Sequence, residues 1–498
     1  MYLLGYDVGS SSIKASLMDA ESGKLMHAAT SPGKEMDMIA DRPGWAEQKP
    51  ETWWKHVVNT THEIMDKTGV APDDVKALGI SYQMHGLVLV DKDQNVLRPS
   101  IIWCDGRAVD IGRKAFNDLG ASFCLEHFLN SPGNFTASKL KWVKENEPEI
   151  YEKIHKFMLP GDYIAMKMSG EISTTISGLS EGILWDYPSH GLAHRLLSYY
   201  NIDKSLVPDY QPNFSDQGSL TTSAAEELGL APGTKIAYRA GDQPNNALSL
   251  NVLNPGEAAA TAGTSGVIYG VSDKPVYDPK SRVNTFVHVN HTEDNPSYGV
   301  LLCVNGTGIQ YSWIKNKLLN HNHSLSYEEM NELAAQSPIG AEKLAVLPFG
   351  NGPERSLGDQ NIGAQIKGID FNQHELKHIL RASQEGIAFA LNYGLQIMKS
   401  MDMQTDTIRV GHANMFLSPV FAEAFTNATQ TRVELYETDG SRGAAIGGGI
   451  GAGVFDDREA AFKGLTRIKT IEPDQGKTSS YQDAYQHWLE KLNEEVHK

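Results

Sequence analysis

The chain opens with short apolar runs separated by turns of glycine, serine and aspartate. Residues 2–8, 13–18 and 24–29 are β-compatible, with Gly9-Ser10-Ser11-Ser12 and residues 19–23 as the turns between them. The pattern returns past the middle: residues 258–262 form a β run, Gly263-Thr264-Ser265-Gly266 is the turn, and residues 267–271 run back. Between these openings the apolar period lengthens. Residues 51–68 read as an amphipathic helix, and 75–80 and 86–90 as strands. Residues 375–399 read as a long helix with Ile379, Leu380, Ile387, Leu391, Leu395 and Ile397 on its core-facing stripe, and 481–496 as a closing helix. This alternation predicts an α/β protein.

Tyr6-Asp7-Val8-Gly9-Ser10-Ser11-Ser12-Ile13 aligns without a gap on Ala260-Thr261-Ala262-Gly263-Thr264-Ser265-Gly266-Val267, an offset of 254 residues that also sets Asp19 opposite Asp273. Identities are few, but the pattern of strand, small-residue turn and strand repeats. Two related domains, each opening with a hairpin, are the simplest account. Asn254-Pro255-Gly256 reads as a turn between them, giving an N-terminal domain over 1–246, a C-terminal domain over 256–455 and a helical tail over 456–498.

Length supports this division, because 498 residues exceed what one hydrophobic core serves. The net charge of −17 argues against nucleic-acid and anionic-membrane partners. Three scattered cysteines, Cys104, Cys124 and Cys303, read as reduced thiols rather than a disulfide framework or a zinc site. Residues 1–8 lack a basic n-region, and the longest small-and-apolar run, 443–454, falls short of the roughly 20 residues that span a bilayer. A cytoplasmic protein is expected.

Four segments carry candidate chemistry. In Asp7-Val8-Gly9-Ser10-Ser11-Ser12 a carboxylate near the end of an apolar strand precedes a turn whose backbone can approach phosphate oxygens, and Asp7 is a candidate ligand of Mg²⁺ and its water. A turn-capping aspartate would look the same. Gly263-Thr264-Ser265-Gly266 is a second such turn, and the two together would clamp a nucleotide tail. Arg239-Ala240-Gly241-Asp242-Gln243-Pro244-Asn245-Asn246 sets Asp242 beside the domain boundary, where it would accept a proton from a sugar hydroxyl. A helix N-cap is the alternative role. Gln83-Met84-His85-Gly86 ends a strand with groups that could read sugar hydroxyls, and a core histidine is the alternative. Gly476-Lys477-Thr478 mimics the end of a Walker A loop, but Ile471 stands at the required earlier glycine, so it reads as a loop. Gly447, Gly449 and Ala452 sit in a small-residue helical run, not in an opening βαβ unit.

Taken together these segments resemble the FGGY family of carbohydrate kinases over nearly the whole chain, from Tyr2 to about Ala452. The family signature is nearly complete in Ala364-Gln365-Ile366-Lys367-Gly368-Ile369 and His378-Ile379-Leu380-Arg381-Ala382-Ser383-Gln384-Glu385, where Gln384 replaces an apolar residue. Gln83-Met84-His85-Gly86, Ile102-Trp103-Cys104-Asp105-Gly106-Arg107, Gly44-Trp45-Ala46-Glu47-Gln48 and Leu159-Pro160-Gly161-Asp162-Tyr163 are most similar to the members that phosphorylate xylulose.

The resemblance implies two actin-like (ribonuclease H-like) domains around a cleft, with ATP and Mg²⁺ as cofactors and D-xylulose 5-phosphate as product. Asp242 would be the general base and Asp7 the second essential carboxylate. Asp7, directly or through water, and Asp242 are the implied Mg²⁺ ligands. Gln83, Met84, His85, Trp103, Asp242 and Gln243 would bind the sugar. Gly9, Ser10, Ser11, Lys14, Gly263, Thr264, Ser265, Gly411, Ala413 and Asn414 would bind the nucleotide. A homodimer is the assembly the family suggests. The sequence departs from the family where Gln243-Pro244 follows the base, where Ser10 replaces threonine, and where Gly411-His412-Ala413-Asn414 replaces a glycine run. Ribulose, glycerol or gluconate as substrate, and a non-catalytic sugar sensor on the same fold, are the rival readings.

Overall fold

A computed structural model describes residues 1–319, 325–352 and 354–498. The first half is built on a five-stranded sheet. Its strands are β1 (Tyr2–Val8), β2 (Ile13–Asp19) and β3 (Leu25–Ser31), then, after helix α1 (Pro50–Thr68), β4 (Val75–Tyr82), and later β5 (Lys235–Gly241). Helix α1 starts at Pro50, whose missing N–H costs nothing there, and stops at Gly69 in the left-handed region with φ 64°. Helices α2 (Thr136–Asn146) and α3 (Ile176–Glu181) lie between β4 and β5, and α4 (Asp242–Ser249) follows β5 at once. Spatial order is β5-β4-β1-β2-β3, with β5, β4 and β1 parallel and the β1–β2–β3 hairpins antiparallel. The expected strand over 86–90 contracts to Val88–Val90, because only these residues pair with Lys156–Met158, while Leu87 makes a lone bridge to Ile101.

The second half repeats this plan. Strands β6 (Ala258–Ala262), β7 (Gly266–Ser272), β8 (Asn284–Val287) and β9 (Tyr298–Val304) are followed by helix α5 (Gly308–Trp313) and the long α6 (Leu376–Lys399). Then come β10 (Thr407–Gly411), β11 (Arg432–Tyr436), helix α7 (Gly440–Gly451), β12 (Arg467–Ile471) and helix α8 (Gln475–Val496). Spatial order is β8-β9-β7-β6-β10-β11-β12, with β6, β10 and β11 parallel. Strands β11-β10-β6-β7-β9 therefore mirror β5-β4-β1-β2-β3, and the weak repeat in the letters is a repeat of topology.

Most of the α6 stripe is buried in the second core together with Tyr481, Trp488 and Leu492 of α8, while Ile379 is only partly covered and packs on a small satellite cluster. Gln384, polar where the family is apolar, is also buried. Its amide nitrogen donates to Tyr311 Oη at 2.7 Å and Asn331 Oδ1 at 3.0 Å, and its oxygen accepts from Ser418 Oγ at 2.6 Å. The substitution is tolerated because the group is fully paired. One expectation is corrected: Gly476-Lys477-Thr478 is not a loop but the first turn of α8, because the Asp474 carboxylate caps the helix by accepting from Gly476 N at 2.9 Å.

Helix α7 comes late in the chain yet packs on the first sheet. A Cβ added to Gly5 of β1 would lie 2.1 Å from Ser441 O, and one on Gly79 of β4 would lie 1.8 Å from Ala444 O. Bare backbone on the strands lets the helix lie against them, and the small residues of α7 answer in kind. Helix α4 crosses α7: Asn245 Nδ2 donates to Gly440 O at 2.8 Å, and a Cβ on Gly443 would come within 2.7 Å of Ser249 Cβ. Gly79→Ala is therefore expected to cost at least the roughly 1–3 kcal/mol of an overpacked core, read by urea unfolding. Unchanged stability would mean that α7 can back away from the sheet.

Candidate active site

The predicted residues converge where the parallel strands of both sheets end. This is where α/β sheets place their ligands, since loops and helix N-termini meet there. Asp7 lies near the end of β1, Gln83 directly follows β4, and Asp242 directly follows β5. In the other sheet Gly263 follows β6, Gly411 ends β10, and Asp439 follows β11.

Asp7 sits opposite Lys14 on β2 and Ser81 on β4, and accepts a hydrogen bond from Ser81 Oγ at 3.0 Å. Its carboxylate faces the start of α7, where a Cβ on Gly440 would lie 2.6 Å from Oδ2. Burial raises its pKa, Lys14 and Ser81 pull it down, and the neighbouring Asp439 pushes it up again. Asp242 is the first residue of α4, with Gly241 at the cap position, so it is not the N-cap that its sequence also allowed. Burial, and then the facing Asp7 carboxylate, push Asp242 up to about 7, while the backbone and side-chain N–H groups of Gln243 oppose the shift. Two hard carboxylates whose repulsion shows in a raised pKa suit a divalent cation. Among the described residues no cluster of three or more potential ligands forms a cage. Mg²⁺ needs none, since it usually takes one or two carboxylates and completes its shell with phosphate oxygens and water.

Met84 and His85 lie next to Asp242 through Gly241, where an added Cβ would be 2.6 Å from Met84 Cγ and 3.2 Å from Glu181 Oε2. His85 Nδ1 is 3.0 Å from the main-chain oxygen of Glu181, which can only accept, so Nδ1 carries the proton and Nε2 is left as an acceptor. Burial, with a contribution from Lys139, holds the ring down at about 3. Its neighbours come from both halves: Phe135 edge-on at 4.8 Å and Phe286 of β8 at 5.5 Å between centroids. Gln83 donates to Gln48 Oε1 at 3.4 Å, and Gln48 in turn donates to Ser10 O at 2.7 Å. Trp103 is exposed, with its indole N–H 3.4 Å from Ser10 Oγ. The buried oxygens Gln83 Oε1, Gln243 Oε1 and Asn245 Oδ1 have no hydrogen-bond partner among the described residues, which marks the region as one that a polar ligand would complete.

In the second half, Gly263 O and Thr264 O accept from Gly308 N at 2.8 Å and Ile309 N at 3.2 Å, so α5 starts against the turn. Asn414, left-handed at φ 55°, brings its amide to the same turn: a Cβ on Gly263 would be 3.4 Å from Asn414 Nδ2. Ser265 hydrogen-bonds Cys303, whose thiol is pushed up to about 12 by burial and also feels Glu354 and Asp242. That places the second turn close to Asp242. His412, Ala413 and Asn414 are exposed, while Gly9, Ser10, Gly263 and Gly411 are half-buried.

Sequence reasoning missed Glu181, Phe135, Phe286, Lys139 and Asp439. Glu181 is the most unexpected. It is 2% exposed, Tyr82 is its side-chain hydrogen-bonding neighbour, and Oε2 is 3.6 Å from His85 Nδ1. Burial, reinforced by Asp242 and Asp162 and opposed by Tyr82, holds it well above the usual carboxylate range. Nothing in Ser177-Gly178-Leu179-Ser180-Glu181 announces this by spacing. Three quoted motifs prove to be supports. Ala46 N donates to Asp105 Oδ2 at 2.6 Å, Arg107 Nη1 lies 2.6 Å from Glu47 Oε1, and Gly161 packs so closely under Tyr82 that an added Cβ would be 2.1 Å from its ring.

Family models for the FGGY carbohydrate kinases match both halves, the N-terminal domain over residues 2–249 and the C-terminal domain over residues 258–453. The chain belongs to the FGGY family of carbohydrate kinases. It is similar to the xylulose kinase of Bacillus subtilis (strain 168), 29% identical over 475 residues that cover 94% of this chain and 91% of that one. The fold is shared with the crystal structure of xylulose kinase from Rhodospirillum rubrum, at TM-score 0.87 and 24% identity over 100% of both chains. It is shared equally with that of gluconate kinase from Lactobacillus acidophilus, at TM-score 0.89 and 22% identity over 99% of this chain and 98% of that one. The FGGY fold is thus common to kinases named for different substrates. Among the described residues no helix is long and apolar enough to cross a membrane.

The state of His85 can be measured directly. With its pKa at about 3 the ring should stay neutral, with the proton on Nδ1, from pH 8 down to pH 5. Nitrogen-15 NMR of histidine-labelled protein should show one His85 signal pair that does not titrate over that span. A midpoint near the ordinary 6.5 would mean that the ring is solvated rather than buried.

Proposed function

We propose that the chain transfers the γ-phosphoryl group of ATP to D-xylulose, giving D-xylulose 5-phosphate and ADP. The observation that carries this reading is the Asp242 carboxyl group, pushed up to about 7 between Asp7 on one side and the Met84–His85 turn on the other. A base of that strength is matched to abstracting a hydroxyl proton at neutral pH. Asp242 takes the proton of the terminal hydroxyl while that oxygen forms its bond to phosphorus and the bond from phosphorus to the ADP oxygen breaks. Asp7 and Asp242 are the residues that would hold Mg²⁺, which when bound supplies positive charge to the transferring phosphoryl group.

The remaining roles complete this reading. Gln83, Met84, His85, Trp103 and Gln243 form the sugar side. The neutral His85 ring offers Nε2 to a hydroxyl donor, and Gln83 and Gln243 offer unpaired oxygens. Gly9, Ser10 and Ser11 offer a close-approaching turn and its hydroxyls to the phosphates, Lys14 on β2 adds a positive charge, and Gly263, Thr264 and Ser265 form the facing turn. Gly411, Ala413 and Asn414 pass beneath the nucleoside.

D-Xylulose is the preferred sugar in this reading, supported by the motif around Met84 and His85 and by the relatives that are named for it. An ADP-release assay over pentuloses, hexuloses, polyols and aldonates tests it. The expected outcome is the highest kcat/KM for D-xylulose. A higher value for ribulose, glycerol or gluconate would move the substrate and leave the kinase reading intact.

Asp242→Asn tests the base. Asparagine keeps the shape and loses the proton acceptor, so kcat should fall by at least about 100-fold while D-xylulose still binds. For the parent, kcat/KM should rise with pH and level off above about 7, as Asp242 ionises. The stability sign is opposite. The native state disfavours the ionised carboxylate, so Asp242 lowers stability progressively as pH rises from 3.8 to about 7. The variant should therefore melt at or above the parent temperature at pH 8. A folded variant with kcat within a few-fold of the parent would remove Asp242 from the chemistry.

A further inference from the structure

We infer that Lys139 is a positioning residue for the proposed sugar pocket, holding His85 and the start of the Trp103 loop in place by their carbonyl oxygens. The inference rests on His85 being the sugar contact proposed above. Lys139 lies on α2 and is 0% exposed. Its ammonium group donates to His85 O at 2.8 Å and to Ile102 O at 2.9 Å. Those two carbonyls belong to the two segments that carry His85 and Trp103.

A lysine is an improbable choice for filling this space. Burial pushes its ammonium group down to about 7, with the Asp105 carboxylate giving the largest opposing support. An unbranched apolar side chain would occupy the same volume without that cost. What it would lack is the pair of donors. His85 gains from one of them, because it holds a left-handed backbone at φ 61°, an uncommon conformation for a residue with a Cβ, and a bond to its carbonyl helps to keep it there. With its backbone carbonyl held by Lys139 and its ring Nδ1–H on Glu181 O, the residue is fixed at main chain and ring, and Nε2 is the end left for a ligand. The second donor fixes Ile102 O, one residue before Trp103.

A role exercised through His85 differs from a role in the core by its coupling, so a double-mutant cycle on the full-length chain tests it. Lys139→Met, Lys139→Gln, His85→Ala and the Lys139→Met/His85→Ala pair are compared for KM of the best sugar, KM of ATP and melting temperature. Lys139→Met is expected to raise the sugar KM by about 5- to 10-fold, within the range of coupling between contacting residues, and to leave the ATP KM within about 2-fold. Lys139→Gln, which keeps two donors on a shorter arm, should fall between Lys139→Met and the parent. In the His85→Ala background, Lys139→Met should change the sugar KM by less than about 2-fold, because the group it positions is gone. An equal rise in both backgrounds, or a parallel rise in the ATP KM, would overturn the inference. Should Lys139→Met fail to fold, Lys139→Gln carries the cycle, and failure of both would assign Lys139 to the core instead. A parent enzyme that turns over no sugar in the ADP-release panel defeats the proposed function itself, which is a separate outcome.

Discussion

The arrangement depends on the contact of α7 with the first sheet through bare backbone. Gly5 and Gly79 leave room on β1 and β4 for a helix that belongs, by sequence, to the far end of the chain. That approach carries the N-terminus of α7 to the Asp7 carboxylate and sets Asp439 beside it. Through Asn245 it also fixes α4, and with α4 the position of Asp242. Were α7 farther from the sheet by the width of a side chain, the acidic centre would draw apart while each sheet remained intact. Packing at the helix crossing therefore sets the distance between the acidic groups.

The electrostatics follow from that closeness. Asp7 and Asp242 are both raised because each is buried and each has another carboxylate nearby. The side around Met84 and His85 is the reverse: a histidine whose pKa burial holds down at about 3, amide oxygens without partners among the described residues, and aromatic rings from both halves. A charged end and a neutral polar end side by side suit a ligand that is uncharged along its length and meets phosphate at one terminus. Glu181 lies beside His85 and Gly241, and burial holds its carboxyl well above the usual carboxylate range.

Much of this was legible in the sequence, and the reasons are local. The strand–turn–strand openings at Asp7 and Gly263 could be read because hairpins are written in contiguous residues, and their recurrence revealed the doubled topology before any coordinates. Asp242 was legible from its setting, although its environment was not: whether it capped a helix or faced another carboxylate depended on what lay across the cleft. Glu181, Phe286 and Lys139 were not legible, because each acts on His85 from a distant part of the chain with no periodic or motif signal. The small-residue run near Gly447 was read as helical, yet which sheet it served was hidden, since the partners of that backbone contact are Gly5 and Gly79, hundreds of residues earlier. Gln384 departed from the family's apolar habit for a reason that only its three partners explain.

The crossing of α4 and α7 also has an electrostatic meaning. Helix α4 begins at Asp242, and α7 begins just after Asp439, so both helices turn their N-termini toward the same acidic centre. A helix N-terminus carries partial positive charge from its unsatisfied N–H groups. Two such ends meeting at one place offset part of the mutual repulsion of Asp7, Asp242 and Asp439, so the backbone itself helps this chain keep three carboxylates close together.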